Sequence, residues 1–135
     1  MPIKPDLIVD YRKGDAAISQ IKEWAGEGGL AAVVTCTDDI PVNEWALKLL
    51  RVRGTAVVIG LPEKGFHFDA FDLVYKELRL KGSLLSSVEQ CREMVKCVDK
   101  FGISTKVTTV GLEECPELTE RYMRGDLKGR LVMKI

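Results

Sequence analysis

The chain lacks an excess of either charge. Twenty Lys and Arg residues balance twenty Asp and Glu residues over 135 positions, so no global field draws it to nucleic acid or to an anionic membrane surface. It has no apolar run near the roughly 18 residues that cross a bilayer. Its first residues, MPIKPDLIVDY, do not follow the charged-then-apolar order of a secretory signal. The four cysteines, Cys36, Cys91, Cys97 and Cys115, include no CxxC pair. That argues against a zinc knot or disulfide framework and for reduced thiols in the cytoplasm. There is one histidine, His67, and there is no internal repeat, linker or low-complexity tract.

What is present is ordinary for a globular domain: 46% hydrophobic and 30% charged residues, in a length that suits one domain with a real core. Apolar runs alternate with helical periods. Leu7-Ile8-Val9 reads as a short strand. Asp15 opens a helix with Ala17, Ile18, Ile21, Trp24 and Ala25 on one face, ended by Gly26, Gly28 and Gly29. Leu30–Val34 is a second strand. Asp38-Asp39 can cap a helix that tolerates Pro41 in its first turn and places Val42, Trp45, Ala46, Leu49 and Leu50 inward, with Gly54 as its stop. Thr55–Ile59 is a third strand of the β-branched, apolar kind buried in parallel sheets, and Leu78–Leu85 a fourth. Ser87 and Gln90 have capping-box spacing ahead of a helix with Val88, Cys91, Met94, Val95 and Val98 inside. Lys106–Val110, a short helix from Pro116 to Met123 stopped by Gly125, and a strand from Arg130 to Ile135 close the chain. The pattern is α/β: one domain over 1–135, with a parallel sheet of about four strands flanked by helices and a strand-helix-strand tail.

In such a sheet, ligands sit beyond the carboxyl ends of the strands. Those ends carry Asp10, Tyr11, Arg12 and Lys13, then Cys36, Asp38 and Asp39, then Glu63, Lys64 and His67, then Ser83, Ser86 and Ser87. This rim could support proton transfer beside a carbonyl. His67 or an Asp would act as base, Lys64 or Arg12 would steady an oxyanion, and Cys36 offers a nucleophile at a helix start. Each residue also has a plainer reading. The aspartates are helix caps, Cys36 is a small residue after a buried strand, and His67 is solvated between Phe66 and Phe68. Trp24 and Trp45 are core.

The segments GTAVVIGLP (54–62), LRLKGSLLSS (78–87) and RGDLKGRLVMKI (124–135), in that order and spacing, resemble the end of a zinc-type, medium-chain alcohol dehydrogenase. The resemblance implies the second half of a Rossmann cofactor domain plus the returning tail of the catalytic domain, a truncated Rossmann-like unit. It implies that Thr35, Cys36, Gly60, Leu61, Ser83, Leu84 and Leu85 line the nicotinamide half of a cofactor site, and that Arg130 approaches the cofactor phosphates. The chain contains no GxGxxG turn, so no glycine-rich loop presents a helix N-terminus to a pyrophosphate. The family's zinc ligands also have no counterpart here, and His67 is not followed by glutamate. No cofactor is therefore expected to be required, residual NAD(P) affinity should be weak at best, and no metal site is expected.

In the full strand order 3-2-1-4-5-6, the segments present correspond to strands 3 to 6, so Leu7–Asp10 is expected to close the gap and pair beside Leu30–Val34. The open edge at LRLKGSLL is expected to pair in a homodimer. Three functions follow. One is a dehydrogenase remnant that binds part of a nucleotide or a partner and does not transfer hydride alone. The second is a cofactor-independent isomerase, cyclase or lyase acting on a small carbonyl ligand with Cys36, Lys64 and His67. The third, which the absences above oppose, is a self-sufficient zinc- and NAD-dependent dehydrogenase. Whether the chain is an enzyme stays open at this point.

Overall fold

The structure, a computed structural model, describes residues 4–125 and 127–135. The first three residues of MPIKPDLIVDY and Asp126 of the closing motif lie outside the described residues. The chain divides into two compact units, Pro5–Ser86 and a second comprising chiefly Ser87–Ile135.

In the first unit, α1 (Asp15–Ala25) leads to β1 (Leu30–Thr35), α2 (Ile40–Lys48), β2 (Leu50–Val58), α3 (Ala70–Tyr75) and β3 (Arg79–Gly82). The three strands form one parallel sheet in the order β1-β2-β3. One sheet face is covered. Val33 and Ala56 pack with Ile21 of α1, with Ala46 and Leu47 of α2, and with Leu49 and Leu50. Side chains alternate across a strand, so Ala32 and Val34 point to the other face and are exposed.

Leu7–Asp10 does not form a strand, and it does not pair beside β1. Leu7 and Val9 instead lay their side chains against the core. Two local features oppose pairing. Pro5 has no amide to offer a ladder. At the other end the Asp10 carboxylate accepts hydrogen bonds from the Arg12 amide (3.1 Å) and the Arg12 guanidinium (2.9 Å), which folds Tyr11–Lys13 into a 3-10 turn.

Gly54 does not end α2. The helix stops at Lys48, and β2 begins at Leu50. The register jumps from Leu30 opposite Leu50 to Ala32 opposite Thr55, so Arg51–Gly54 bulges out of the ladder. Arg53 takes a left-handed backbone there, φ +61°, held by its amide donating to the Lys76 carbonyl (2.6 Å) and its guanidinium pairing with Glu77 (2.7 Å). Gly54 is buried, and a Cβ there would press on the Arg51 carbonyl at 2.9 Å and on the Leu50 side chain at 3.0 Å. Beyond β3, the Ser83 amide continues the ladder, donating to the Val58 carbonyl (3.1 Å). Leu84 and Leu85 have left the sheet and are exposed.

Trp24 is half exposed rather than core, because it lies toward the edge of the α1 face centred on Ile21. Trp45 packs on the core and meets Tyr11 edge-on at 6.2 Å between ring centroids.

The second unit holds α4 (Val88–Lys100), β4 (Val107–Val110), α5 (Leu118–Met123) and β5 (Arg130–Met133). The capping box forms: the Gln90 amide donates to Ser87 Oγ (3.2 Å), and the Ser87 amide donates to Gln90 Oε1 (2.9 Å). Strands β4 and β5 pair in parallel, Val107 opposite Arg130 to Val110 opposite Met133. Between them Pro116 lies in a 3-10 helix, Leu112–Glu117, that runs into α5. The expected inward face of α4 is not buried. Val88, Cys91, Met94 and Val95 are exposed. The amphipathic spacing reads which residues share a face, and it carries no information on whether anything covers that face.

Candidate functional site

Because β1 and β2 are parallel and Thr35 lies opposite Val58, both strands deliver their chains to the same end of the sheet. The Thr35 carbonyl accepts the amides of Ile59 (3.0 Å) and Gly60 (3.1 Å), tying the exit of β2 to the exit of β1. Thr35 is buried, and its Oγ1 has no hydrogen-bond partner among the described residues. Cys36 follows it into solvent, so it is not the packed small residue that its place after a buried strand suggested. Thr37 Oγ1 accepts the Asp39 amide (3.1 Å). Asp39 is the cap of α2: its carboxylate accepts the Val42 amide (3.4 Å) and the Tyr11 hydroxyl (3.3 Å).

Gly60 lies against this turn so closely that a Cβ would fall well inside contact distance of the Thr37 carbonyl oxygen. Leu61 beside it is 77% exposed, an apolar side chain presented at the rim. Ser83 leaves the sheet at the same end, since Gly82 stands opposite Val58. The structure thus brings Thr35, Cys36, Gly60, Leu61 and Ser83 to one end of one sheet, with Leu84 and Leu85 in the exposed segment after it. Arg130 belongs to the other unit. There it opens β5, its amide donating to the Lys106 carbonyl (2.8 Å), and it lines a cleft of about 430 Å³ with Leu118, Tyr122, Met123 and Leu131.

His67 lies elsewhere. Its backbone amide donates to Glu44 Oε1 (3.3 Å), and its side chain lines a groove of about 330 Å³ with Glu44, Leu47 and Lys48 of α2 and Asp72 and Leu73 of α3. The acids there have structural partners. Asp69 accepts the Phe71 amide (2.8 Å) as the cap of α3, and Asp72 pairs with Lys76 (3.1 Å). Neither Cys36 nor Lys64 lines this groove. Lys64 sits in the turn closed by the Gly65 amide donating to the Pro62 carbonyl (3.0 Å). Two exposed ion pairs shift carboxyl groups. The Arg12 guanidinium, hydrogen-bonded to Asp10, holds that carboxyl below the usual carboxylate range, and Arg53 does the same to Glu77.

One residue of the rim escaped the sequence reading: Asn43, buried in the first turn of α2 and hydrogen-bonded to the Thr37 and Asp39 carbonyls. Its signal was an amide in an inward-facing stretch, four positions after the capping Asp39.

The profile of the zinc-binding dehydrogenase family matches residues 5–100. The chain belongs to that family. It is 32% identical over 101 residues to the probable formaldehyde dehydrogenase AdhA of Bacillus subtilis, covering 75% of this chain and 29% of that protein. It is 28% identical over 132 residues to an alcohol dehydrogenase of Geobacillus stearothermophilus, covering 96% of this chain and 38% of the relative. Its fold superposes on the alcohol dehydrogenase of Aeropyrum pernix with a TM-score of 0.79 at 21% identity, over 96% of this chain and 37% of the other. The chain thus spans about a third of the length of the relatives it matches.

Family membership raises zinc and a dinucleotide, and the residues answer differently for each. Among the described residues no group of three or more His, Cys, Asp or Glu side chains could hold a metal ion, whereas a catalytic zinc needs about three protein ligands. The donor set does not fit zinc. For the dinucleotide, the strand-end rim is present, and the GxGxxG turn that would cradle a pyrophosphate is not among the 135 residues.

Proposed function

We propose that this chain forms the nicotinamide end of a dehydrogenase cofactor site and does not carry out zinc- and NAD-dependent hydride transfer by itself. The observation that carries the reading is the tied pair of strand ends. Thr35 gathers two amides of the β2 exit, and Gly60 lies close enough to leave a shallow shelf of backbone and small groups beside Leu61. A flat aromatic ring is the kind of group that such a surface would take. Without a phosphate turn, the affinity of the chain for NAD(P) is weak and a bound cofactor is not required for folding.

The same reading includes a partner. Among the described residues, strand β3 pairs only with β2 and leaves its other edge open, and one sheet face presents Ala32 and Val34 to solvent. Parallel sheets are ordinarily covered on both faces, and open edges invite strand pairing. We assign a homodimer through the β3 edge. A single monomeric species in sedimentation at tens of micromolar would remove that part. Four exposed cysteines, none paired, support a cytoplasmic setting. No helix of the described residues is long and apolar enough to cross a membrane.

The test is a calorimetric titration of the purified chain with NADPH and then NADH. Binding with Kd below about 100 μM, roughly 5.5 kcal/mol, supports the cofactor half-site. Heat indistinguishable from dilution at millimolar nucleotide would leave the family relation as one of fold alone.

A further inference from the structure

Asn43 is 1% exposed. Burying a primary amide is costly unless its hydrogen bonds are made. Its Nδ2 donates to the Thr37 carbonyl (3.1 Å) and to the Asp39 carbonyl (2.9 Å), so both amide hydrogens go to the turn between β1 and α2. Rotating the amide by half a turn would set Oδ1 against two carbonyl oxygens, which fixes the orientation by chemistry. Oδ1 has no hydrogen-bond partner among the described residues. An apolar residue here would avoid that uncompensated oxygen, so packing does not explain the asparagine. The turn does. The carbonyl that Asn43 holds on Thr37 is the one against which Gly60 closes. A line of contact runs from Asn43 through the Thr37 carbonyl to Gly60 and the exposed Leu61.

We propose that Asn43 is the positioning residue of the rim, holding the Thr37 carbonyl and thereby the placement of Gly60 and Leu61 that a nicotinamide ring would meet. The inference rests on the reading of the rim as a cofactor half-site, and the experiment separates the two. Asn43→Leu keeps the volume close and removes both donors; Asn43→Ser is a smaller second variant. Amide hydrogen exchange is followed at Asp39, Ile59 and Gly60 on the rim and at Val33 and Val57 inside the sheet, alongside NADH titrations. The rim amides should exchange at least about tenfold faster in the variants while the interior amides stay near wild type, and NADH affinity should fall by at least about tenfold. Rim and interior rising together, or neither rising, would overturn the proposal, since the first describes a residue that only stabilises the unit. If wild-type protein binds no NADH, the cofactor reading fails, and the exchange pattern still decides the part played by Asn43. If neither variant folds, the wild type decides alone. Slow exchange of the Asn43 side-chain amide protons supports the clamp, and exchange at the rate of a free amide overturns it.

Discussion

Gly60→Ala perturbs one methyl group at the point where the two strand exits meet. The added Cβ would collide with the Thr37 carbonyl, which is backbone and already held by Asn43. No flexible side chain can yield, so the turn or the exit of β2 must move. Overpacking of this kind costs about 1–3 kcal/mol. Gly82→Ala is the matched control: it also lies at a strand end of the same sheet, and a Cβ there meets nothing within 4 Å. Its effect should be neutral or stabilising by up to about 1 kcal/mol. Both tryptophans lie in the unit Pro5–Ser86, so intrinsic fluorescence in urea reports that unit. With a slope of about 2 kcal/mol per molar urea, the two variants should differ in midpoint by roughly 0.5–2 M. Equal midpoints would mean that the approach of Gly60 to Thr37 does not exist in solution, and the shelf built on it would go with it.

Leu50→Ala should be the costliest apolar truncation in the same unit. Leu50 is almost wholly buried and its loss should cost about 2–5 kcal/mol by the same fluorescence assay. Ser87→Ala removes one arm of the capping box on α4 and should cost about 0.5–2 kcal/mol, read as faster exchange of the first amides of that helix with the Trp signal unchanged. Acid should weaken the fold through the Arg53–Glu77 pair that braces the bulge of β2. The folded pKa of Glu77 lies below its ordinary value of 4.5, so its contribution is complete above that pH and is lost as pH falls through the depressed folded value. Glu77→Gln should flatten that part of an acid titration of stability, and an unchanged profile would count against it.

Much of the architecture was legible because it is local. Asp39, Pro41 and the Ser87–Gln90 spacing announce helix starts through local hydrogen bonds, and the valines of β1 and β2 announce strands, though only one sheet face is covered. The errors came where position depends on partners. Leu7–Val9 has the composition of a strand, yet Pro5 and the Asp10–Arg12 turn leave it no ladder to join. Gly54 looks like a helix stop because glycine often is one, while here it serves a bulge that depends on Lys76 and Glu77 far along the chain. The α4 stripe states an apolar face and is silent about a cover. At the site, the strand-end positions followed from topology alone. The groove that His67 lines includes neither Cys36 nor Lys64, because nearness along a rim of loops does not place side chains in one groove.

Asn43 shows why the rim is the firmer part of the site. Its shape is made from a short stretch, Thr35 to Leu61, by bonds that close on one another: Asn43 to Thr37, Asp39 to the start of α2, Ile59 and Gly60 to Thr35. None of them draws on residues outside the unit Pro5–Ser86. A phosphate grip, by contrast, would have to come from a glycine-rich turn that this stretch does not contain. Shape and grip are therefore separable in this chain, and they predict different results. A rim with shape and no grip should protect the Gly60 amide in the absence of ligand and gain little further protection on adding NADH. If Gly60 were unprotected alone and became protected on adding NADH, the ligand would be making the rim, and its shape would not precede binding.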